Sequence, residues 1–367
     1  MDASGVQPYS SPVTSDEVDT AAPIPLKDIK GRTVLITGGA SGIGASIAIK
    51  VAENGGNVII GDLNETLGEE VTAFLRHTYK SESHHFIHLD VTSWQSQVAF
   101  FREATALSAH GGIDCVIANA GVALPAEQQA FTHPPDYSQI PNPPPPKYVS
   151  FDVNALGVLY TTDLALSYLR RNPDSAKASL PPSDGPRDRH LLLVSSIAGV
   201  AAVPGIPLYC ASKHAVVGAF RSLRINSPTV TGVRINLLAP YFTDTPILGP
   251  EGPLVMAGGT MARMEDVTGA AIRMIADKGI IGRALMIVSR GEKKDVVAAG
   301  LTWREGDKHG NAVRDFGGLD FEQTEVFTRR MIAITNLVTY GRGWAGFFAD
   351  IVAFFVLGFL RLLGYAD

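Results

Sequence analysis

The chain has 367 residues, enough for one large α/β domain or two smaller ones. It is 46% apolar and 18% charged, with a formal net charge of -5. Those values fit a globular protein and argue against a nucleic-acid binder, since no Lys/Arg cluster offsets the negative charge. The two cysteines, Cys115 and Cys210, form no disulfide framework and point to a reducing compartment, the cytoplasm. His84, His85 and His88 lie close together in an apparent strand, and no Cys/His spacing resembles a metal site, so no metal is expected.

Met1 to Thr20 is polar and lacks an apolar core, so residues 1–29 read as a disordered leader and not as a signal peptide. Thr33 to Thr37 is a β-branched, apolar run that fits a buried parallel strand. It leads into Gly38-Gly39-Ala40-Ser41-Gly42-Ile43-Gly44 and then a helical stretch, Ala45 to Glu53. Strand, glycine turn and helix form the context in which a glycine motif binds phosphate. Glycines let the backbone approach a pyrophosphate, and the helix N-terminus offers free N–H groups. A plain tight turn is the bland alternative.

A second strand, Asn57 to Asp62, ends in a carboxylate 18 residues beyond Gly44. An acidic residue there grips the adenosine ribose hydroxyls and repels a 2′-phosphate, which favours NAD over NADP. The alternative is a strand-end Asp that caps the next helix. A third strand, His85 to Leu89, ends at Asp90-Val91-Thr92, and a helix is expected over Trp94 to Leu107. A fourth strand, Asp114 to Ala118, ends in Asn119-Ala120-Gly121. Strands alternating with helices predict a doubly wound parallel sheet with helices on both faces and ligands at the carboxyl ends of its strands.

The segment 122–147 carries His133-Pro134-Pro135 and Pro143 to Pro146, which break helix and ladder alike, so an inserted loop is expected. A helix from Tyr148 to Arg170 contains Asn154, and a second Pro-rich loop spans 172–189. A fifth strand, Leu191 to Ser195, is followed by Ser196. Thirteen residues later comes Tyr209-Cys210-Ala211-Ser212-Lys213. On a helix, that spacing stacks a phenol and an ammonium one turn apart on one face. A phenol loses its proton near pH 10, and a nearby cation lowers that value. A Tyr tuned in this way can exchange a proton with an alcohol or a ketone. Taken alone, the pair could equally be two unrelated helix residues. A sixth strand, Val233 to Leu238, leads to Pro240, Tyr241 and Thr245. A helix over Glu265 to Lys278 and a strand over Arg283 to Val288 follow, giving about seven strands.

Together these residues resemble the short-chain dehydrogenase/reductase family in its single-domain form, over about Lys30 to Val288. Thr37-Gly38-x-x-x-Gly42-x-Gly44 matches the family's cofactor turn, and Asn119-Ala120-Gly121 its sheet-stabilising segment. Asn154, Ser196, Tyr209 and Lys213 match its catalytic tetrad. Asp90 matches the adenine-contacting acid, with Val91 beside it, and Thr245 the threonine near the nicotinamide carboxamide. The resemblance implies a Rossmann-type sheet, bound NAD and a secondary alcohol or ketone as substrate. It implies that Tyr209 is the acid/base and that Lys213 lowers its pKa and holds the nicotinamide ribose. Ser196 polarises the substrate oxygen, and Asn154 holds a water in a proton relay. An Asn in a helix can also simply kink it. Homodimers or homotetramers are common in the family. Within it, the chain looks most like fungal NAD-dependent members similar to 15-hydroxyprostaglandin dehydrogenase. Tyr241 stands where the family usually has glycine, which puts the nicotinamide pocket's geometry in question.

Residues 291–367 extend the pattern and end in an apolar segment, 344–363, expected to be helical. Its longest uncharged run, Ile351 to Leu360, is short of the about 20 residues that span a bilayer. Packing on the domain as lid or dimer contact, docking on a membrane surface, and anchoring in a membrane all stay open. The function expected is hydride transfer between NAD(H) and an apolar secondary alcohol or ketone, lipid-, steroid- or polyketide-like. The alternatives are an NADPH-dependent ketoreductase of a secondary-metabolite pathway and a non-catalytic dinucleotide-binding sensor.

Overall fold

The apolar runs form strands because their residues pack on both faces. The computed structural model describes residues 13–201, 203–249, 260–290 and 312–317. Seven strands run parallel: β1 Thr33–Thr37, β2 Asn57–Asp62, β3 His85–His88, β4 Cys115–Ala118, β5 His190–Val194, β6 Arg234–Pro240 and β7 Ala284–Ile287. An eighth, β8 Val313–Asp315, pairs antiparallel with β7. The order is β3-β2-β1-β4-β5-β6-β7-β8, so the winding reverses between β1 and β4. A crevice at that switch point is where doubly wound sheets bind ligands.

Alternate residues feed two cores. Val34, Ile36, Val58, Ile60, Leu192 and Val194 face one layer, with helices α1 Gly42–Glu53 and α8 Met264–Ala276. Leu35, Ile59, Leu191 and Leu193 face the other, with α3 Trp94–Leu107, α6 Val158–Leu169 and α7 Pro207–Val230. That period of two is the strand's own geometry. Each fully buried Leu, Ile or Phe contributes about 1.5–3 kcal/mol to the burial term. Helix α2, Glu65–Tyr79, covers the β2–β3 edge, with Leu75 buried.

At the amino edge of the sheet, Arg32 and Arg234 both bond Asp188, at 3.0 and 2.7 Å. The arginines also donate to the last carbonyls of α8, at Ile275 and Met274. Burial raises the Asp188 pKa, but Arg234 and Arg32 outweigh it and hold the carboxyl well below its ordinary range.

Four expectations need correction or qualification. The leader is ordered from Val13 onward. Ser15 N–H donates to the Ile281 carbonyl (3.0 Å), Val18 N–H to Asp315 Oδ2 (2.8 Å), and Arg273 to the Thr20 carbonyl (2.9 Å). Its polar composition hid these tertiary partners. Among the described residues the sheet has eight strands where about seven were expected, because a three-residue strand carries no periodic signal. The segment 122–147 contains a helix, α4 Pro125–Thr132, with proline at its first turn, where the missing N–H costs nothing. The apolar segment 344–363 lies outside the described residues, and among those residues no helix is long and apolar enough to cross a membrane.

Candidate active site

The glycine turn forms at the carboxyl end of β1. Gly38 has φ +66°, and a Cβ there would sit 2.7 Å from Ala120 Cα. A Cβ on Gly44 would strike the Gly38 carbonyl and lie 2.7 Å from Asn119 Nδ2. Gly42, at φ +53°, packs against Thr245. Only glycine fits such close backbone approaches without strain. Asn119 braces the turn: its Nδ2 donates to the Thr37 and Gly38 carbonyls (3.1 and 2.8 Å). Thr37 Oγ1 in turn accepts from the N–H groups of Asn119 and Ala120. Ser41, the N-cap of α1, makes no side-chain cap bond, so the first-turn N–H groups at Gly42, Ile43 and Gly44 keep their donor capacity. This bare cradle fits a dinucleotide pyrophosphate.

Asp62 Oδ2 accepts from Ala40 N–H and Oδ1 from Asn64 N–H, each at 3.0 Å. The cap of α2 is Asn64, whose side chain accepts from Leu67 N–H. Asp62 is therefore tied to the glycine turn and is not the cap of the following helix. Asp90 Oδ1 accepts from the N–H and hydroxyl of Thr92 (2.9 and 2.7 Å), and Val91 is buried against Gly157. Thr245 opens a 3-10 turn after β6. Tyr241 N–H donates to Ile287, and its ring packs edge-on against Phe242 and on the α8-side core.

Ser196 follows β5, with its Oγ accepting from Ala198 N–H (3.2 Å). Its hydroxyl also donates to the Pro240 carbonyl (3.4 Å), and its polarity lowers the pKa of the nearby Tyr209 phenol. Lys213 Nζ lies over the Tyr209 ring, 5.7 Å from its centroid, and donates to the Val194 carbonyl (3.3 Å). The structure thus brings Ser196, Tyr209 and Lys213 together. Asn154 sits in a π-turn, Asp152–Gly157, between the short α5 Val149–Phe151 and α6. Such turns interrupt helices at functional positions. Its carboxamide accepts from Val122 N–H and donates to the Val122 carbonyl, both 2.8 Å, and also donates to Ser212 Oγ (3.1 Å). Gly121 leaves room beside both Asn154 Oδ1 and Lys213 Nζ, since a Cβ there would lie 3.3 Å from each.

The electrostatics depart from expectation. Burial raises the Tyr209 pKa, and the polar Ser196 hydroxyl only partly offsets that. The expected lowering by Lys213 is not seen: the ammonium meets the ring face, and removal of the phenol from water dominates. Burial also pushes Lys213 down to about 8.

Sequence reasoning missed two neighbours, Glu127 and Gln128 of α4. Gln128 Oε1 accepts from the N–H groups of Leu208 and Tyr209 (2.9 and 3.3 Å), and Glu127 accepts from Ser150 N–H. The one available hint was negative. Ile206-Pro207, at the start of the Tyr209 helix, holds no side-chain acceptor for its own first turn.

A short chain dehydrogenase family model matches residues 32–253. The chain is 36% identical to a 5'-hydroxyaverantin dehydrogenase of Dothistroma septosporum, over 76% of this chain and 91% of that protein. It is 34% identical to the NADP-dependent dehydrogenase M3 of a Phoma species, over 72% of this chain and 76% of that one. Among solved structures, a 3-ketoacyl-(acyl-carrier-protein) reductase from Brucella melitensis complexed with NADH shares the fold. Its TM-score is 0.55 at 22% identity, over 70% of this chain and 97% of that one. None of these relatives is a 15-hydroxyprostaglandin dehydrogenase. The chain belongs to the short-chain dehydrogenase family, oxidoreductases that use a nicotinamide dinucleotide to interconvert alcohols and carbonyls.

Proposed function

We propose that the protein oxidises or reduces an apolar, polycyclic or polyketide-like secondary alcohol/ketone pair with Tyr209 as acid/base. One observation carries the reading: Tyr209 stands between the Ser196 hydroxyl, which lowers its pKa, and the buried Lys213 ammonium, 5.7 Å from its ring centroid. A hydroxyl and a phenol converging on one oxygen are what carbonyl/alcohol interconversion needs. The cofactor, when bound, supplies or takes the hydride. Ser196 orients the substrate oxygen, and Tyr209 gives or takes its proton. Because burial raises the phenol's pKa, Tyr209 holds its proton at neutral pH and favours donation to a ketone; alcohol oxidation gains as pH rises. Lys213 and Asn154 lie on the proton path to solvent. The Asn154 carboxamide is taken by Val122 and Ser212, so the backbone of the π-turn holds the relay water. The hydroxyaverantin relative supports the substrate class.

Gly38, Ser41, Gly42, Ile43 and Gly44 take the pyrophosphate. Asp62 takes the adenosine ribose, Asp90 and Val91 the adenine, and Lys213 and Thr245 the nicotinamide half. NAD is the cofactor on this reading, because the Asp62 carboxylate ends β2 at the ribose position and repels a 2′-phosphate. The NADP-dependent relative favours the second reading, a ketoreductase using NADPH. The ratio of NAD to NADP dissociation constants decides between them.

Residues 30–290 form the dehydrogenase domain and 291–367 an extension. The protein is a cytoplasmic homo-oligomer. Its free cysteines support the compartment, and exposed Leu156 just before α6 and Leu159 in its first turn supply apolar surface for a second copy. The 344–363 segment is the one contact with a membrane surface that this reading allows.

The test is Tyr209→Phe, assayed with both cofactors on a panel of apolar secondary alcohols. Turnover falls about 10²–10⁴-fold. Wild-type turnover in the variant sinks the mechanism, and cofactor binding without turnover by the wild-type chain points to the sensor.

A further inference from the structure

Both helices that carry the tetrad's helical members begin without caps of their own. In α7 the N-cap is Ile206 and the next residue is Pro207. Isoleucine offers no acceptor and proline no N–H, so the first donors needing a partner are those of Leu208 and Tyr209. A single atom, Gln128 Oε1, accepts both. It comes from 80 residues upstream. Those two donors also set the amide's orientation, because a flipped amide would place N–H against N–H. Gln128 is 3% exposed, and its Nε2 is buried without a partner. A buried donor left unmet costs stability, so an apolar side chain would fill this space at less cost.

The start of α5 has the same arrangement. Tyr148 makes no side-chain cap bond there, and both carboxylate oxygens of Glu127 accept from Ser150 N–H, at 3.1 and 3.3 Å. Negative charge at that end also suits the helix dipole. Asn154 follows four residues later in the same run of helix. Two consecutive residues of α4 therefore cap the helix that carries Tyr209 and the helix that leads to Asn154.

We propose that α4 is a brace for the active site: Gln128 is a positioning residue for Tyr209, and Glu127 is one for Asn154. Neither side chain needs to touch substrate. Their acceptors set where the first turns of the two helices lie, and hence where the phenol stands relative to Ser196. Displacing a reacting group by a fraction of an ångström costs rate without costing affinity. The brace rests on the proposed role of Tyr209, and the experiment keeps the two separable.

Gln128→Leu keeps the volume and removes the acceptor, while Gln128→Glu keeps the acceptor. Both are assayed with borneol, a compact apolar secondary alcohol. NADH binding, thermal stability and backbone hydrogen exchange are measured in parallel. In Gln128→Leu, kcat falls about 10- to 100-fold with little change in KM or NADH affinity, and the kcat–pH profile shifts. Independently of turnover, the Leu208 and Tyr209 amides exchange about tenfold faster. Gln128→Glu recovers kcat at its pH plateau and restores amide protection. Wild-type exchange at those two amides in Gln128→Leu overturns the brace. So does a parallel loss of kcat, stability and NADH affinity that Gln128→Glu does not recover, since that marks a packing role only. If Gln128→Leu does not fold, Gln128→Asn withdraws the oxygen by one methylene and carries the same expectations. Tyr209→Phe is run alongside. Its retention of turnover would refute the Tyr209 role, whereas an inactive Tyr209→Phe beside a wild-type-like Gln128→Leu would refute the brace alone.

Discussion

Lys213 is a charge the fold would be more stable without. The residue is 3% exposed, and burial pushes its pKa from the ordinary 10.5 down to about 8. At about 1.4 kcal/mol per pH unit, that gap corresponds to about 3 kcal/mol of stability lost at neutral pH. The sign follows from proton counting. Below pH 8 both folded and unfolded chains hold the proton, and the full cost is present. Between pH 8 and 10.5 only the unfolded chain holds it, so stability rises with pH across that window. Lys213→Met keeps the length and drops the charge. It forfeits the bond to the Val194 carbonyl and the contact with the Tyr209 ring, together about 1–2 kcal/mol. The net gain at pH 7 is about 1–2 kcal/mol, or about 2–8 °C in Tm for a domain of this size. Thermal melts of both proteins from pH 6.5 to 10.5 should show the variant ahead at neutral pH and the gap closing through the window. A variant less stable than wild type at pH 7, or a gap that does not change with pH, would refute the reasoning. Turnover should be lost in the variant throughout, which would make Lys213 a residue held for chemistry at the fold's expense.

Two other perturbations probe different parts of the molecule. Asp62→Ala removes the carboxylate that accepts from Ala40 N–H, and the ratio of NAD to NADP affinity should fall about tenfold or more by fluorescence titration. An unchanged ratio would mean that Asp62 does not select the cofactor. Asp188→Asn leaves Arg32 and Arg234 buried without a counter-charge and should cost about 3–5 kcal/mol in urea unfolding. Because Asp188 titrates below its ordinary range, its stabilisation is present above the unfolded carboxylate's pKa and is lost as pH falls. The difference between the two proteins should therefore shrink below about pH 4.

Much of the sheet and of the candidate site was legible because the relevant physics is local. Val34, Leu35 and Ile36 read as a strand because β-branched and apolar residues suit a surface buried on both faces. Gly38 and Gly42 read as a phosphate turn because positive φ and close backbone approach admit little else. Tyr209 and Lys213 read as a pair because four residues make roughly one helical turn. Asn64, two residues past Asp62, shows where local reading stopped. Both can cap a helix, and only the backbone path decided which did so and left Asp62 on the glycine turn.

The sequence by itself determined the doubly wound order of elements, the glycine turn after β1 and the residues of the candidate site. These depend on residue type and short spacings. Tertiary structure alone decided that Val13 to Ile29 packs on the domain, that Val313–Asp315 adds an antiparallel edge, and that α4 caps two helices from a distance. It also decided the direction of the Tyr209 shift. A pKa is a sum of burial against charge, and burial depends on which distant segments close over the phenol.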